Sequence, residues 1–368
     1  MAANSSASSM PETIIKDILS RLPVKSLVRF KSLSKPICSL IHSHDFMAAH
    51  LCLSSLKPTL LVRRYHNPTG CNFQLTLVRE SLVNDLDIPN DVVSALRCFP
   101  KIVGSCNGVV CLDISKCHAA DLFLWNLATR EVKRLPKPTI KSSPLPWMVT
   151  LGFGYDHKNH EFNIVRLVTL DDDTKAEVYK TGTGTWDQIE DLSITSCAVS
   201  GGQQAVSVNG ELHWLALGGG LFNLRRYIVS FNMGDNKFRQ IPAPDLPVDC
   251  CLKLMFYKKS LTLAAYPLDI PDRFVRNRKA FEEFDLWVLG EEDGSSWSKH
   301  VMIDSLVRFI FPIGVWGDDK IMMKRIGGNR SRLILFDPMV GDRAETLQEL
   351  GGEDSLDVFT YVESLMPV

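Results

Sequence analysis

The sequence predicts an α+β protein by domain, with a short three-helix unit at the N-terminus followed by an all-β propeller of about six blades. Three observations carry that expectation. Apolar residues follow a helical period from Pro11 to about Ile41, and short strands with turn punctuation replace that period from Lys57 onward. An aromatic strand then recurs through the second region at near-constant spacing.

The first helix carries Ile14, Ile15, Ile18, Leu19 and Leu22 as one stripe, with Glu12, Lys16, Asp17, Ser20 and Arg21 on the other side. Pro11 suits a first turn, where its missing N–H costs nothing, and Pro23 ends the helix because its ring excludes continuation. Val24, Leu27, Val28 and Phe30 give a second short apolar face. Ser34 caps a third helix carrying Ile37, Leu40 and Ile41, with Pro36 placed in its first turn. Three helices over roughly 35 residues bury too little apolar surface to stand alone. Their stripes need cover from the rest of the chain or from another protein, and periodicity leaves both open.

In the second region, aromatic strands end in polar turns at Leu122–Asn126, Ala176–Thr181, Tyr227–Asn232, Phe284–Leu289 and Leu333–Asp337. Their anchors Trp125, Tyr179, Phe231, Trp287 and Phe336 are separated by 54, 52, 56 and 49 residues. A tight turn and a strand precede each of them except the Tyr179 strand. These lie at Cys106–Cys111, Asn209–Trp214, Lys259–Leu263 and Asp319–Met323, and the Asn-Gly pairs at 107–108 and 209–210 signal hairpins because both residues accept positive φ. A further strand follows at Glu131–Leu135, Thr185–Ile189, Lys237–Ile241 and Ser296–His300. Units of about four strands at this period have the kelch-type propeller spacing, in which each aromatic fills the wedge between neighbouring sheets. Five units are countable, and Pro58–Val83 supplies the sixth.

The chain has 368 residues, 45% apolar and 23% charged, enough for a sizeable core. A net charge of −1 argues against general attraction to nucleic acid or anionic membrane. Residues 10–50 hold six cations (Lys16, Arg21, Lys25, Arg29, Lys31, Lys35) against three anions (Glu12, Asp17, Asp45), a net of +3 that leaves −4 elsewhere. The opening Met-Ala-Ala-Asn-Ser-Ser-Ala-Ser-Ser lacks the basic start and apolar core of a secretory signal, and no run approaches the roughly 20 apolar residues of a membrane span. Ten cysteines without a CxxC pair are expected to be reduced thiols, which places the chain in the cytoplasm, the nucleus or both.

The stretch Met10-Pro11-Glu12-Thr13-Ile14-Ile15-Lys16-Asp17-Ile18-Leu19-Ser20-Arg21-Leu22-Pro23, continuing to Phe30, resembles the F-box of plant F-box proteins with a kelch-like F-box-associated domain. Downstream, Gly104–Gly108, Leu124–Arg130, Gly152–Asp156, Val208–Gly210 with His213-Trp214, and Tyr361–Leu365 resemble that associated domain in the expected order. The resemblance divides the chain into a Ser-rich tail (1–9), an F-box (10–50), a linker (51–56) and a propeller (57–368). It implies a substrate receptor of a Skp–cullin–F-box ubiquitin ligase, non-catalytic itself. A Skp-family adaptor would be bound directly, cullin and RING subunits through it, and a protein target by the propeller. By carry-over, Pro11, Ile15, Ile18, Leu19, Leu22 and Pro23 face the adaptor, while Leu27, Phe30, Leu33 and Ile37 continue that interface or form the motif's small core. Family members usually carry Val-Ser-Lys-Ser-Trp where this chain has Leu33-Ser34-Lys35-Pro36-Ile37; the lost aromatic implies weaker docking, with helix one supplying most of the contact.

Residues with chemistry of their own are sparse. His42 and His44 end the helical motif, His157 and His160 sit in a turn, and His213 reads as a hydrogen-bonded strand residue. Asp171-Asp172-Asp173 lacks the frame of a calcium loop, Gly182-Thr183-Gly184 and Gly218-Gly219-Gly220 do not continue into a phosphate loop, and no Gly-x-Ser-x-Gly elbow is present. No catalytic residue, metal or cofactor is expected. Asp171–Lys175, Gly218–Arg226, Asp269–Lys279 and Gly327–Arg332 are the candidate target-binding loops, the third made basic by Arg273, Arg276, Arg278 and Lys279. Three other classes compete with this one: an F-box protein acting outside a ligase, a propeller enzyme or carbohydrate-binding protein, and a three-helix DNA reader. The last is disfavoured because the third helix has only Lys35 to offer base edges.

Overall fold

The computed structural model describes residues 11–368 except 66–72, 80–81, 96–99, 116–119, 142–148, 171–172, 193, 195–196, 200–203, 220–224, 248–249, 268–282, 291–293, 305–309, 318, 328–329, 339–344 and 349–356. Helices α1 (Glu12–Ser20), α2 (Val24–Phe30) and α3 (Lys35–His42) fall where the period and the prolines place them. Ser34 caps α3, its hydroxyl accepting from the Ile37 N–H at 3.4 Å, and Pro36 occupies the first turn. A fourth helix, α4 (His44–Ser55), is not marked by the helical period, and it takes in residues 51–55 of the expected linker. Its apolar residues form no single stripe because they are used on two sides. Phe46 packs with the other helices, whereas Leu51 reaches the propeller. Buried His50 ties α4 to the turn after α1, its Nε2 lying 2.9 Å from the Leu22 carbonyl oxygen.

The remaining chain forms six antiparallel sheets. Blade 1 holds β1 (Thr59–Tyr65), β2 (Phe73–Arg79) and β3 (Leu82–Asp85), and a short α5 (Asn90–Ala95) follows. Blade 2 holds β4 (Lys101–Cys106), β5 (Val109–Asp113), β6 (Leu122–Asn126) and β7 (Val132–Arg134). Blade 3 holds β8 (Val149–Asp156), β9 (Glu161–Leu170), β10 (Asp173–Lys180) and β11 (Thr185–Ile189). In blade 4, β12 (Cys197–Val199) and β13 (Val206–Val208) pair with β14 (Glu211–Gly218), followed by β15 (Arg225–Asn232) and β16 (Lys237–Pro242). Blade 5 is β17 (Cys250–Tyr257), β18 (Ser260–Pro267), β19 (Glu283–Leu289) and β20 (Trp297–Asp304). Blade 6 is β21 (Ile310–Trp316), β22 (Lys320–Gly327), β23 (Arg330–Phe336) and β24 (Glu345–Gln348).

The ring is closed by β25 (Asp357–Tyr361), which pairs antiparallel with β1 as the innermost strand of blade 1. Arg63 stands opposite Asp357 in that register, forms an ion pair with it, and also donates to the Pro100 carbonyl at 2.6 Å. The inner strands β25, β4, β8, β13, β17 and β21 touch in a circle. Six blades agree with the expected five aromatic units plus the Pro58–Val83 segment.

Each of six apolar clusters lies between two successive blades. Every anchor packs on the preceding blade: Trp125 against blade 1, Tyr179 against blade 2, Phe231 against blade 3, Trp287 against blade 4 and Phe336 against blade 5. Blade 1 uses Val78 there, facing blade 6, so its repeat lacks an aromatic. Gly152 shows how closely blades approach: a Cβ on it would lie 2.4 Å from the Trp214 ring, whose Nε1 donates to the Leu151 carbonyl at 3.2 Å.

The hairpin missing before the Tyr179 strand is β8–β9. Its turn uses the Asp156 carboxylate, which accepts from the N–H groups of Lys158 (2.8 Å) and Asn159 (3.2 Å), so no Asn-Gly pair marks it. Blade 5 makes its turn with Lys258 (φ 48°) and Lys259 (φ 64°), where blade 2 has Asn107 (46°) and Gly108 (79°). Side chains beyond Gly, Asn and Asp pay for that conformation. Replacing Lys258-Lys259 by Asn-Gly is therefore expected to stabilise the fold by about 1 kcal/mol, read by urea unfolding.

Candidate protein-docking face

Helices α1–α4 enclose a small core of Leu19, Val24, Leu27, Ile41 and Phe46, completed by Leu365 from beyond β25. Ile15, Leu22, Phe30 and Ile37 lie half-buried at its margin. Outside it, Ile14 and Ile18 are each 48% exposed one turn apart on α1, and Leu33 is 63% exposed after α2. Pro11, Pro23 and Val28 are exposed as well.

The expected adaptor-facing residues thus divide. Pro11, Ile18, Pro23 and Leu33 are open, Ile15, Leu22, Phe30 and Ile37 are partly open, and Leu27 is core. Leu19, expected on the adaptor face, is buried. The five-residue stripe is wider than one face: at 100° per residue, Ile15, Leu19 and Leu22 turn inward while Ile14 and Ile18 turn outward. Ile14 and Val28, which belong to the apolar faces read from the sequence but not to the residues carried over to the adaptor, are open as well. The i, i+4 spacing of Ile14 and Ile18 was the available signal.

The helices sit on a defined side of the ring. His44 of α4 stacks edge-on with His160 in the β8–β9 turn at 4.4 Å between ring centres, and Ala128 in the β6–β7 turn packs on the helical core. In a four-stranded antiparallel blade, turns between strands one and two and between three and four share a face, and the connection between two and three leaves from the other. The loops β9–β10, β14–β15, β18–β19 and β22–β23 are all of the second kind. These are the four connections singled out from the sequence, so their strand ends lie on the face opposite the helices. Arg273, Arg276, Arg278 and Lys279 fall outside the described residues.

His213 is buried in β14 with Nδ1 2.5 Å from the Ser230 hydroxyl, and Nε2 3.8 Å from Glu211, which Arg239 holds at 2.9 Å. Burial pushes its pKa down to about 4, with Glu211 opposing and Arg239 assisting. A histidine depressed from its ordinary 6.5 contributes stability that is complete above that value and lost as pH falls toward 4. The loss amounts to about 3 kcal/mol across that window. His213→Gln is expected to flatten the decline of unfolding free energy between pH 6.5 and 4. Among the described residues, no three His, Cys, Asp or Glu side chains gather as metal ligands, and no helix is long and apolar enough to cross a membrane.

A closed β-ring with a helical unit on one face defines a propeller protein with an appended helical motif. Residues 7–48 match the F-box domain, and residues 72–310 match the F-box associated beta propeller domain. The chain belongs to the family of F-box proteins carrying that propeller. An Arabidopsis thaliana F-box/kelch-repeat protein is 26% identical over 333 residues, 85% of this chain and 84% of its own length. An F-box protein of the same plant is 26% identical over 353 residues, covering 89% and 82%. The Arabidopsis F-box protein CPR1 is 33% identical over 174 residues, 46% of this chain and 40% of its length.

Proposed function

We propose that this chain is the substrate-recognition subunit of a Skp–cullin–F-box ubiquitin ligase. The observation that carries the reading is the open apolar pair Ile14 and Ile18 on α1, with Leu33 exposed after α2, on a helical unit whose own core is already filled. An apolar helix face of this kind suits a helix-in-groove contact, and the motif's net charge of +3 suits an acidic adaptor. Cullin and RING subunits would join through the adaptor. F-box proteins generally act as adaptors for substrates, and this chain would contribute proximity, holding a target protein near a loaded ubiquitin carrier at high effective concentration. The loop-bearing propeller face opposite the helices is the proposed target side.

Co-purification with a Skp-family adaptor tests the reading. The full chain should be retained at one-to-one stoichiometry, and a chain lacking residues 1–50 should not. If the full chain is not retained, the proposal fails; if both are, docking lies elsewhere.

A further inference from the structure

We propose that the segment Ser364–Val368 is a wedge that sets the angle between the F-box and the propeller. The idea rests on the receptor reading for its purpose, but the geometry can be measured without any adaptor.

After β25 the chain crosses beneath blade 2 and is held there by a dense set of bonds. The buried Ser364 hydroxyl donates to the Asn107 carbonyl at 2.5 Å and accepts from the Met366 N–H at 3.1 Å. Asn126 at the end of β6 donates from Nδ2 to the carbonyls of Ser364 (3.1 Å) and Met366 (2.8 Å). Gly108 makes room for this: a Cβ there would stand 2.5 Å from the Ser364 hydroxyl oxygen. With its backbone fixed to the propeller, the segment sends successive side chains in opposite directions. Leu365 enters the helical core beside Leu19, Val24, Leu27, Ile41 and Phe46. Met366 enters the cluster between blades 2 and 3, against which Leu51 of α4 and Val368 also pack.

One dipeptide is therefore buried in both bodies at once. The other joints described between them are slight: Leu51, Ala128, and the His44–His160 ring contact beside a connection of Leu56, Lys57 and Pro58. A receptor benefits from a stiff joint because the distance between the adaptor-bound end and the captured target fixes the effective concentration for transfer.

The test uses the full chain and three variants: one lacking 364–368, one with Leu365→Asp, and Leu365→Met as the conservative control. Small-angle scattering of each chain alone should show a larger radius of gyration and maximum dimension for the first two and none for the third. Proteolysis within residues 56–58 should accelerate roughly tenfold or more in the same two. Amide exchange within α1–α3 should rise in the first two, because Leu365 belongs to the helical core, yet stay well short of an unfolded unit, and binding to a Skp-family adaptor should be retained. Unchanged scattering and cleavage in Leu365→Asp would overturn the proposal, and that variant decides the matter should the deletion unfold blade 2. Complete loss of amide protection in α1–α3 would also overturn it, by making the segment indispensable to the motif's own fold. Failure of the wild-type chain to bind adaptor would sink the receptor reading alone, leaving the scattering result to stand.

Discussion

Glu177→Ala is expected to destabilise the propeller by about 3–5 kcal/mol, a large share of the 5–15 kcal/mol typical of a folded domain. Glu177 and Arg166 face each other directly across β9 and β10, both fully buried, and form an ion pair. The carboxylate also accepts from the Thr139 N–H (2.8 Å), the Thr139 hydroxyl (2.9 Å) and the Ile140 N–H (3.1 Å), while Arg166 donates to the Ile140 carbonyl at 3.0 Å. The pair therefore straps the connection between blades 2 and 3 onto the inside of blade 3. Truncation leaves a guanidinium buried without its counter-charge and two N–H groups without an acceptor. Glu177→Gln keeps an acceptor oxygen but loses the charge, and should fall between wild type and Ala. Removing both charges with Arg166→Met and Glu177→Met should recover part of the loss, since the uncompensated cation is gone. Urea unfolding of the four proteins checks the order. An alanine variant within 1 kcal/mol of wild type would mean that water reaches the site and screens it.

Ile18→Asp is expected to weaken adaptor binding about a hundredfold without altering thermal unfolding, because an apolar contact worth roughly 1.5–3 kcal/mol is replaced by a carboxylate that must be desolvated. Ile18 is half exposed on the outer side of α1, so the fold itself loses little. Leu33→Asp should behave likewise, whereas Leu27→Asp should unfold the helical unit, since Leu27 is fully buried in its core. Titration calorimetry against a Skp-family adaptor separates the two classes. Wild-type affinity in Ile18→Asp would remove the outer side of α1 from the interface.

The parts of the fold that the sequence displayed are those where one residue type answers one geometric need. Trp125, Tyr179, Phe231, Trp287 and Phe336 each fill an inter-blade wedge, and their spacing marked five of the six blades. The elements that stayed hidden meet the same needs by other chemistry. Val78 replaces the aromatic in blade 1, an Asp156 side-chain cap replaces Asn-Gly before β9, and α4 has no stripe because it is buried from two sides. On the docking face, periodicity found the apolar residues of α1 but could not divide them. Which of Ile14, Ile18 and Leu19 turns inward depends on where α4 and Leu365 pack, and those contacts are remote in sequence.

The pairing of β25 with β1 joins Tyr361 to Thr59, 302 residues earlier in the chain. Contacts of such separation are slow to form, because the intervening loop must be closed before any bond rewards it. During synthesis, which proceeds at roughly 5–20 residues per second, β1 leaves the ribosome with one hydrogen-bonding edge bare for many seconds. The helical unit emerges earlier still, yet Leu365, which fills its core, is made 310 residues after α4 ends at Ser55. Nascent chains therefore carry an incomplete helical core and an open blade together, and both defects are repaired by the same late segment.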